Sequence, residues 1–72
     1  GQGIGSKLLG ALIEAASKAG FEQMVAVIGG GEPRSMALHA RLGFTEVGRL
    51  KGAGFKFGRH LDTVFMQRSL RA

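Results

Sequence analysis

An α/β fold is predicted by three features of this sequence. A glycine-spaced opening, Gly1-Gln2-Gly3-Ile4-Gly5-Ser6, runs straight into an apolar stripe of helical period. Five consecutive apolar residues, Met24-Val25-Ala26-Val27-Ile28, read as a strand. A second helical stripe is followed by segments that alternate as strands do. The predicted order is loop, helix, strand, helix, strand, strand, in a single domain over residues 1–72 with no internal repeat or linker.

The first helix is read over Lys7 to Ala19. Ile4, Leu8, Leu9, Leu12, Ile13, Ala16 and Ala19 recur at spacings of three and four, which lines one face for a core. Gly20 ends it, with Lys18 in the last turn where the helix dipole favours a cation. The strand that follows, Phe21 to Ile28, is apolar on successive positions, so it is expected to be buried on both faces, central and parallel. Gly29-Gly30-Gly31 ends it as a hinge or a place of close backbone approach.

Glu32-Pro33 opens the second helix, with an acid at the positive end and proline in the first turn. The helix is expected to run to Arg41 or Leu42 and stop at Gly43, with Ser35, Leu38, His39 and Leu42 sharing a side. Phe44 to Lys51 reads as a strand with Gly48 as a bulge, Gly52-Ala53-Gly54 and Gly58 as turn punctuation, and Leu61 to Leu70 as the last strand. Along that last strand Leu61, Thr63, Phe65 and Gln67 fall on one face, and Asp62, Val64, Met66, Arg68 and Leu70 on the other.

A chain of 72 residues buries about 60% of the surface it exposes when unfolded, so its own core is small. With no cysteine and two histidines, neither a disulfide framework nor a metal site is expected to reinforce it. No apolar run is long enough to span a membrane and no signal peptide opens the chain, so the expectation is a cytoplasmic protein without a membrane partner. The absence of an initiator methionine points to a processed chain or a fragment.

The net charge of +5 lies wholly in the last third, where Arg49, Lys51, Lys56, Arg59, Arg68 and Arg71 face Asp62 alone. Such an excess suits an anionic small molecule or a nucleic acid. With only Phe55 and Phe57 among these charges, base stacking is thinly supported and nucleic acid is not the expected partner. A solvated hairpin accounts for the same charges.

The opening stretch carries the first chemical signal. A helix start leaves its first N–H groups without intrahelical partners and concentrates about half a positive charge there, so a glycine-rich approach makes a cradle for phosphate or pyrophosphate. Lys7 opposes the dipole at this end unless an anion is present. The spacing is neither that of a P-loop nor Gly-x-Gly-x-x-Gly. A flexible chain start is the bland alternative.

Three ordered motifs then carry a resemblance. Gly3 and Gly5 supply all but the first residue of Arg/Gln-x-x-Gly-x-Gly/Ala, which would precede Gly1. Ser35, Leu38, His39, Gly43 and Phe44 meet Asn-x-x-Ser-x-x-Leu-His-x-x-x-Gly-Phe, with Glu32 in place of asparagine. Gly54, Phe55, Lys56, Gly58, Asp62 and Gln67 meet Gly-Phe-Lys-x-Gly-x-Trp-x-Asp-x-x-x-x-Gln, with His60 in place of tryptophan. Together they resemble the second half of the GNAT superfamily of N-acetyltransferases, of the phosphinothricin acetyltransferase and amino-acid N-acyltransferase type.

That resemblance implies a partial GNAT fold, the acetyl-CoA-binding half without the strands that would precede Gly1. It implies acetyl-CoA as co-substrate, its pyrophosphate on the loop formed by Gly1, Gln2, Gly3, Ile4, Gly5 and Ser6, with Glu32 and Ser35 along the cofactor. It implies acetyl transfer to a primary amine of a small amino-acid-like substrate such as phosphinothricin, with the thioester beside the strand Met24 to Ile28.

His39 is the candidate catalytic residue, as general acid toward the leaving thiolate; packing beside Leu38 and Leu42 is its bland reading. Helix capping or solvation is the alternative role for Glu32, and His60 reads as a packing or pocket residue. A catalytically inactive CoA-binding or protein-interaction module is the competing function. An apolar strand with neighbours on only one side further predicts a homodimer or higher oligomer.

These readings yield a first test. Acetyl-CoA should raise the melting temperature, and Gly5→Asp should abolish that rise by placing bulk and negative charge where the pyrophosphate is expected. An unchanged melting temperature for the parent at millimolar ligand would remove the cradle.

Overall fold

A computed structural model describes residues 2–71. Its elements are α1 (Gln2–Lys18), β1 (Gln23–Gly29), α2 (Pro33–Arg41), β2 (Thr45–Lys56) and β3 (Arg59–Ser69). The α/β character and the helix-strand-helix-strand-strand order follow the expectation. The three strands form one antiparallel sheet in the order β1-β3-β2.

Burial assigns the faces. Val64 is fully shielded from solvent, and with Met66, Ile28 and Phe44 it forms the core. Leu9 and Ile13 of α1 and Met36 of α2 pack on this cluster, as do Met24 and Ala26 of β1. Both helices thus cover the sheet face that carries Val64 and Met66, the face the alternation of β3 marked out. The opposite face, carrying Val25, Val27 and Phe65, has no helix on it among the described residues; Val25 and Val27 are exposed.

Three differences from the sequence reading have physical causes. β1 is an edge strand here, antiparallel to β3, and not central, parallel and doubly buried. Its apolar run divides by the strand period: Met24, Ala26 and Ile28 turn toward the helices, while Val25 and Val27 project from the bare face. Helix α1 begins at Gln2, so Gln2 to Ser6 are helical residues and not a loop; Gly1 lies outside the described residues. The stripe that starts at Ile4 carries the helix through Gly3 and Gly5 despite their poor propensity.

The third difference concerns the hairpin. Gly52-Ala53-Gly54 does not turn; β2 continues to Lys56, and the chain reverses at Phe57-Gly58, where both residues have positive φ, 53° and 75°. Two central residues with positive φ are the signature of a tight hairpin turn whose twist matches the strands. The β2–β3 register shifts between Glu46 and Gly48, the bulge expected at Gly48, and again between Leu50 and Gly54.

In the second irregularity the Gly52 N–H donates to Asp62 Oδ1 at 3.0 Å, so a carboxylate from β3 serves a peptide group that the ladder leaves behind. Asp62 Oδ2 accepts from Arg49 Nη1 at 3.2 Å, and Arg49 also reaches Glu46 at 3.3 Å.

Both helices end on glycine. At the end of α2, the Phe44 N–H donates to the His39 carbonyl at 2.9 Å and the Gly43 N–H to that of Ala40 at 3.1 Å, with Gly43 at φ +92°. This six-to-one and five-to-two pair satisfies carbonyls that the helix end would orphan. A side chain at Gly43 would be strained, and its Cβ would lie 2.7 Å from Arg68 Nε.

Because so few side chains are fully buried, each carries a large share of stability. Phe44→Ala should cost about 3–5 kcal/mol. Chemical denaturation should show the loss as a lower midpoint, and a loss under about 1 kcal/mol would mean that Phe44 is not a core residue.

Candidate acetyl-CoA site

The expected site residues lie on the two helices. Gln2, Gly3, Ile4, Gly5 and Ser6 occupy the first turns of α1. That first turn bears no acidic side chain, and a Cβ at Gly3 would meet nothing within 4 Å, so the helix start is open and free of negative charge. A Cβ at Gly5 would lie 3.5 Å from Leu38 Cδ2. The start of α1 therefore rests against α2 at the residue next to His39.

Glu32 is the N-cap of α2. Its carboxylate accepts from the Ser35 N–H at 2.8 Å and the Arg34 N–H at 3.2 Å, and Pro33 sits at the first helical position, where its missing N–H is no loss. These two bonds, the one from Ser35 foremost, hold the Glu32 carboxyl below the usual carboxylate range. The capping alternative is thus realised. Two of the free amides at this helix start are committed to the chain's own carboxylate, which distinguishes it from the start of α1.

Ser35 and His39, expected on one side of the helix, meet through the Ser35 backbone carbonyl. His39 Nδ1 lies 2.7 Å from the Ser35 carbonyl oxygen. A carbonyl can only accept, so Nδ1 carries the proton and Nε2 is left to take up or release one. The ring is half-buried and packs edge-on against Phe44, with centroids 5.1 Å apart and planes at 78°. Phe44 was legible only as a motif position; its contact with the imidazole required the helix to end in the turn described above.

Elsewhere His60 pairs across the hairpin with Phe55, ring centroids 5.0 Å apart, and both residues are exposed. No helix among the described residues is long and apolar enough to cross a membrane.

Comparison with known proteins gives the family. The acetyltransferase (GNAT) domain family matches residues 1–65. The chain belongs to the GNAT acetyltransferase family. Phosphinothricin N-acetyltransferase of Alcaligenes faecalis is 48% identical, over all of this chain and 37% of that protein. An L-methionine sulfoximine/L-methionine sulfone acetyltransferase of Pseudomonas aeruginosa is 50% identical, over 97% of this chain and 41% of that protein.

Among solved structures, a GNAT superfamily phosphinothricin acetyltransferase from Sinorhizobium meliloti in complex with acetyl-CoA superposes with a TM-score of 0.93 at 55% identity, over 96% of this chain and 37% of that one. An acetyltransferase from Salmonella typhimurium with its cofactor acetyl-CoA gives 0.91 at 45% identity, over 99% of this chain and 41% of that one. The GNAT chain described here therefore spans about two fifths of the length of these relatives.

The cap has a pH signature. A carboxyl held low in the folded state stabilises it above the ordinary carboxylate pKa, and that contribution disappears as pH falls through the folded value. Glu32→Gln should therefore lower the melting temperature at neutral pH, and the gap to the parent should close from about pH 4 downward. A gap independent of pH would show that the charge of Glu32 does not contribute.

Proposed function

We propose that this chain is the acetyl-CoA-binding part of an N-acetyltransferase that acetylates the primary amine of a small amino-acid-like substrate of the phosphinothricin or methionine sulfoximine kind. The observation that carries the reading is the state of His39. Its Nδ1–H is committed to the Ser35 carbonyl, its ring is braced by Phe44, and its Nε2 is left for proton transfer on the helix against which the start of α1 rests.

The start of α1 suits the co-substrate's pyrophosphate. Backbone amides of Gln2 to Ser6 supply donors, the glycines leave room for close approach, and no carboxylate in the first turn repels the anion. Glu32 and Ser35 would flank the cofactor at the head of α2, where Glu32 fixes the helix start and the Ser35 carbonyl holds His39.

The amine attacks the thioester carbonyl, the C–S bond breaks, and the thiolate takes a proton. His39 in its imidazolium form gives up the Nε2 proton while Nδ1 keeps its own on Ser35, so the ring holds its orientation through the transfer. The substrate ammonium loses one proton to solvent before it attacks, and its nitrogen loses a second as the amide forms; this second proton is the equivalent of the one His39 donates, so the ring returns to its starting state over the cycle.

Two further readings belong to the same proposal. A cytoplasmic location, where acetyl-CoA is at hand as co-substrate, is part of the proposal. The bare sheet face with Val25 and Val27, together with the free edge of β1, supports a homodimer or higher oligomer in which that face is covered.

Replacement of His39 tests the proposal. His39→Ala should lower turnover by roughly 10²-fold while changing the acetyl-CoA KM little, because the proton is needed in the transition state and not for binding. Steady-state kinetics with phosphinothricin or methionine sulfoximine would show it. Equal turnover in variant and parent would reduce His39 to a packing residue, and cofactor binding without turnover in the parent would favour the inactive CoA-binding module.

A further inference from the structure

Helix α2 carries His39, yet none of its residues is buried. Met36 is its partly buried apolar contribution to the core cluster, and Leu38 faces Gly5 of α1. A nine-residue helix seated this lightly takes its position from its two ends. The C-terminal end is fixed by the glycine turn and Phe44. The N-terminal end follows directly from the Gly30-Gly31 turn, whose residues have φ +73° and +56°.

What lies against that turn is a charged group from β2, the strand at the other edge of the sheet. A Cβ at Gly31 would stand 3.7 Å from Arg49 Nη1, 3.4 Å from Val64 Cγ2 and 3.9 Å from Met36 Sδ. The guanidinium thus shares the wall beneath the turn with two core side chains. Carboxylates hold it in two directions: Nη1 donates to Asp62 Oδ2 at 3.2 Å, while Nη2 and Nε donate to Glu46 at 3.3 and 3.5 Å. Asp62 is itself tied to the β2 backbone by the Gly52 N–H, and that bond, followed by the Arg49 contact, draws its carboxyl below the usual range.

We propose that Arg49, clamped between Asp62 and Glu46, is a positioning residue for α2: its guanidinium buttresses the Gly30-Gly31 turn and so sets where the Glu32 cap, the Ser35 carbonyl and the His39 ring stand. The planar, multi-donor shape of arginine is what the role needs, since a lysine ammonium cannot hold both carboxylates and the turn in one geometry. The irregular stretch of β2 also acquires a purpose, because the Gly52 N–H that it frees orients the carboxylate that orients Arg49.

The inference rests on the reading of His39 as the proton donor, so its test needs a readout that does not. Proton NMR of the His39 ring reports its place against the edge of Phe44 through that ring's current, with or without catalysis. In Arg49→Met, with the N-terminal end of α2 no longer held, the His39 ring-proton signals should move. Turnover should fall on the order of tenfold with an acetyl-CoA KM within about twofold of the parent, and Arg49→Lys should recover only part of the loss.

Asp62→Asn, whose amide oxygen still accepts from Gly52, should show the same spectral change in smaller degree, and it decides the matter if Arg49→Met does not fold. Parental His39 signals in a folded Arg49→Met, or in Asp62→Asn, would overturn the proposal. Absence of acetyl transfer in the parent would instead overturn the proposed function, leaving the ring spectra to judge the role of Arg49.

Discussion

The register of β3 is the constraint on which the rest of the molecule depends. It is the middle strand, and Val64 and Met66 on its helix-facing side are the floor on which Leu9, Ile13 and Met36 rest. Slipping β3 by one residue would turn Val64 and Met66 to the bare face and present Thr63 and Phe65 to the helices. β1 follows β3 without interruption from Gln23↔Ser69 to Gly29↔Thr63, whereas β2 accommodates it with two irregularities. The long second strand therefore bends to suit the middle one, and Asp62 of β3 anchors the second of the two bends.

The helices were the most legible part of the sequence. Glu32-Pro33 and Gly43 mark the limits of α2 by chemistry that acts within three or four residues, and the structure uses those residues as cap, first helical residue and stop. The alternation along β3 was equally plain. The opening stretch was less so: its glycines suggest a loop, yet each glycine costs a helix only about 1 kcal/mol, which the continuing stripe of Ile4 and Leu8 outweighs. The pyrophosphate cradle read from that stretch accordingly becomes the first turn of a helix.

What local reading missed is supplied from a distance. Gly52 and Gly54 look like a turn, but Gly52, at φ +65°, lies in an irregularity of β2 where Asp62, ten residues away on the neighbouring strand, accepts its N–H. Five apolar residues in β1 could not reveal which of them would meet a helix. The site shows the same division: the motif picked out Ser35 and His39, while the identity of the joining atom, a backbone carbonyl, depended on helical geometry that brings residue i to residue i+4. The concentration of cations in the last third likewise resolves only in three dimensions, where Arg49 is drawn into pairs with Glu46 and Asp62 and Arg71 meets Glu22.

Residue 44 addresses residue 39 twice, by a backbone bond that closes the helix and by an aromatic edge that steadies the imidazole. Fold integrity and ring geometry at this corner are consequently one variable. A mutational screen scored on activity would register changes at Phe44 as catalytic, and one scored on abundance would register them as structural, from the same physical event. Directed evolution of this domain would thus find the Gly43–Phe44 corner nearly immobile, and its adaptable positions would lie at the exposed hairpin tip around Phe57, away from that corner.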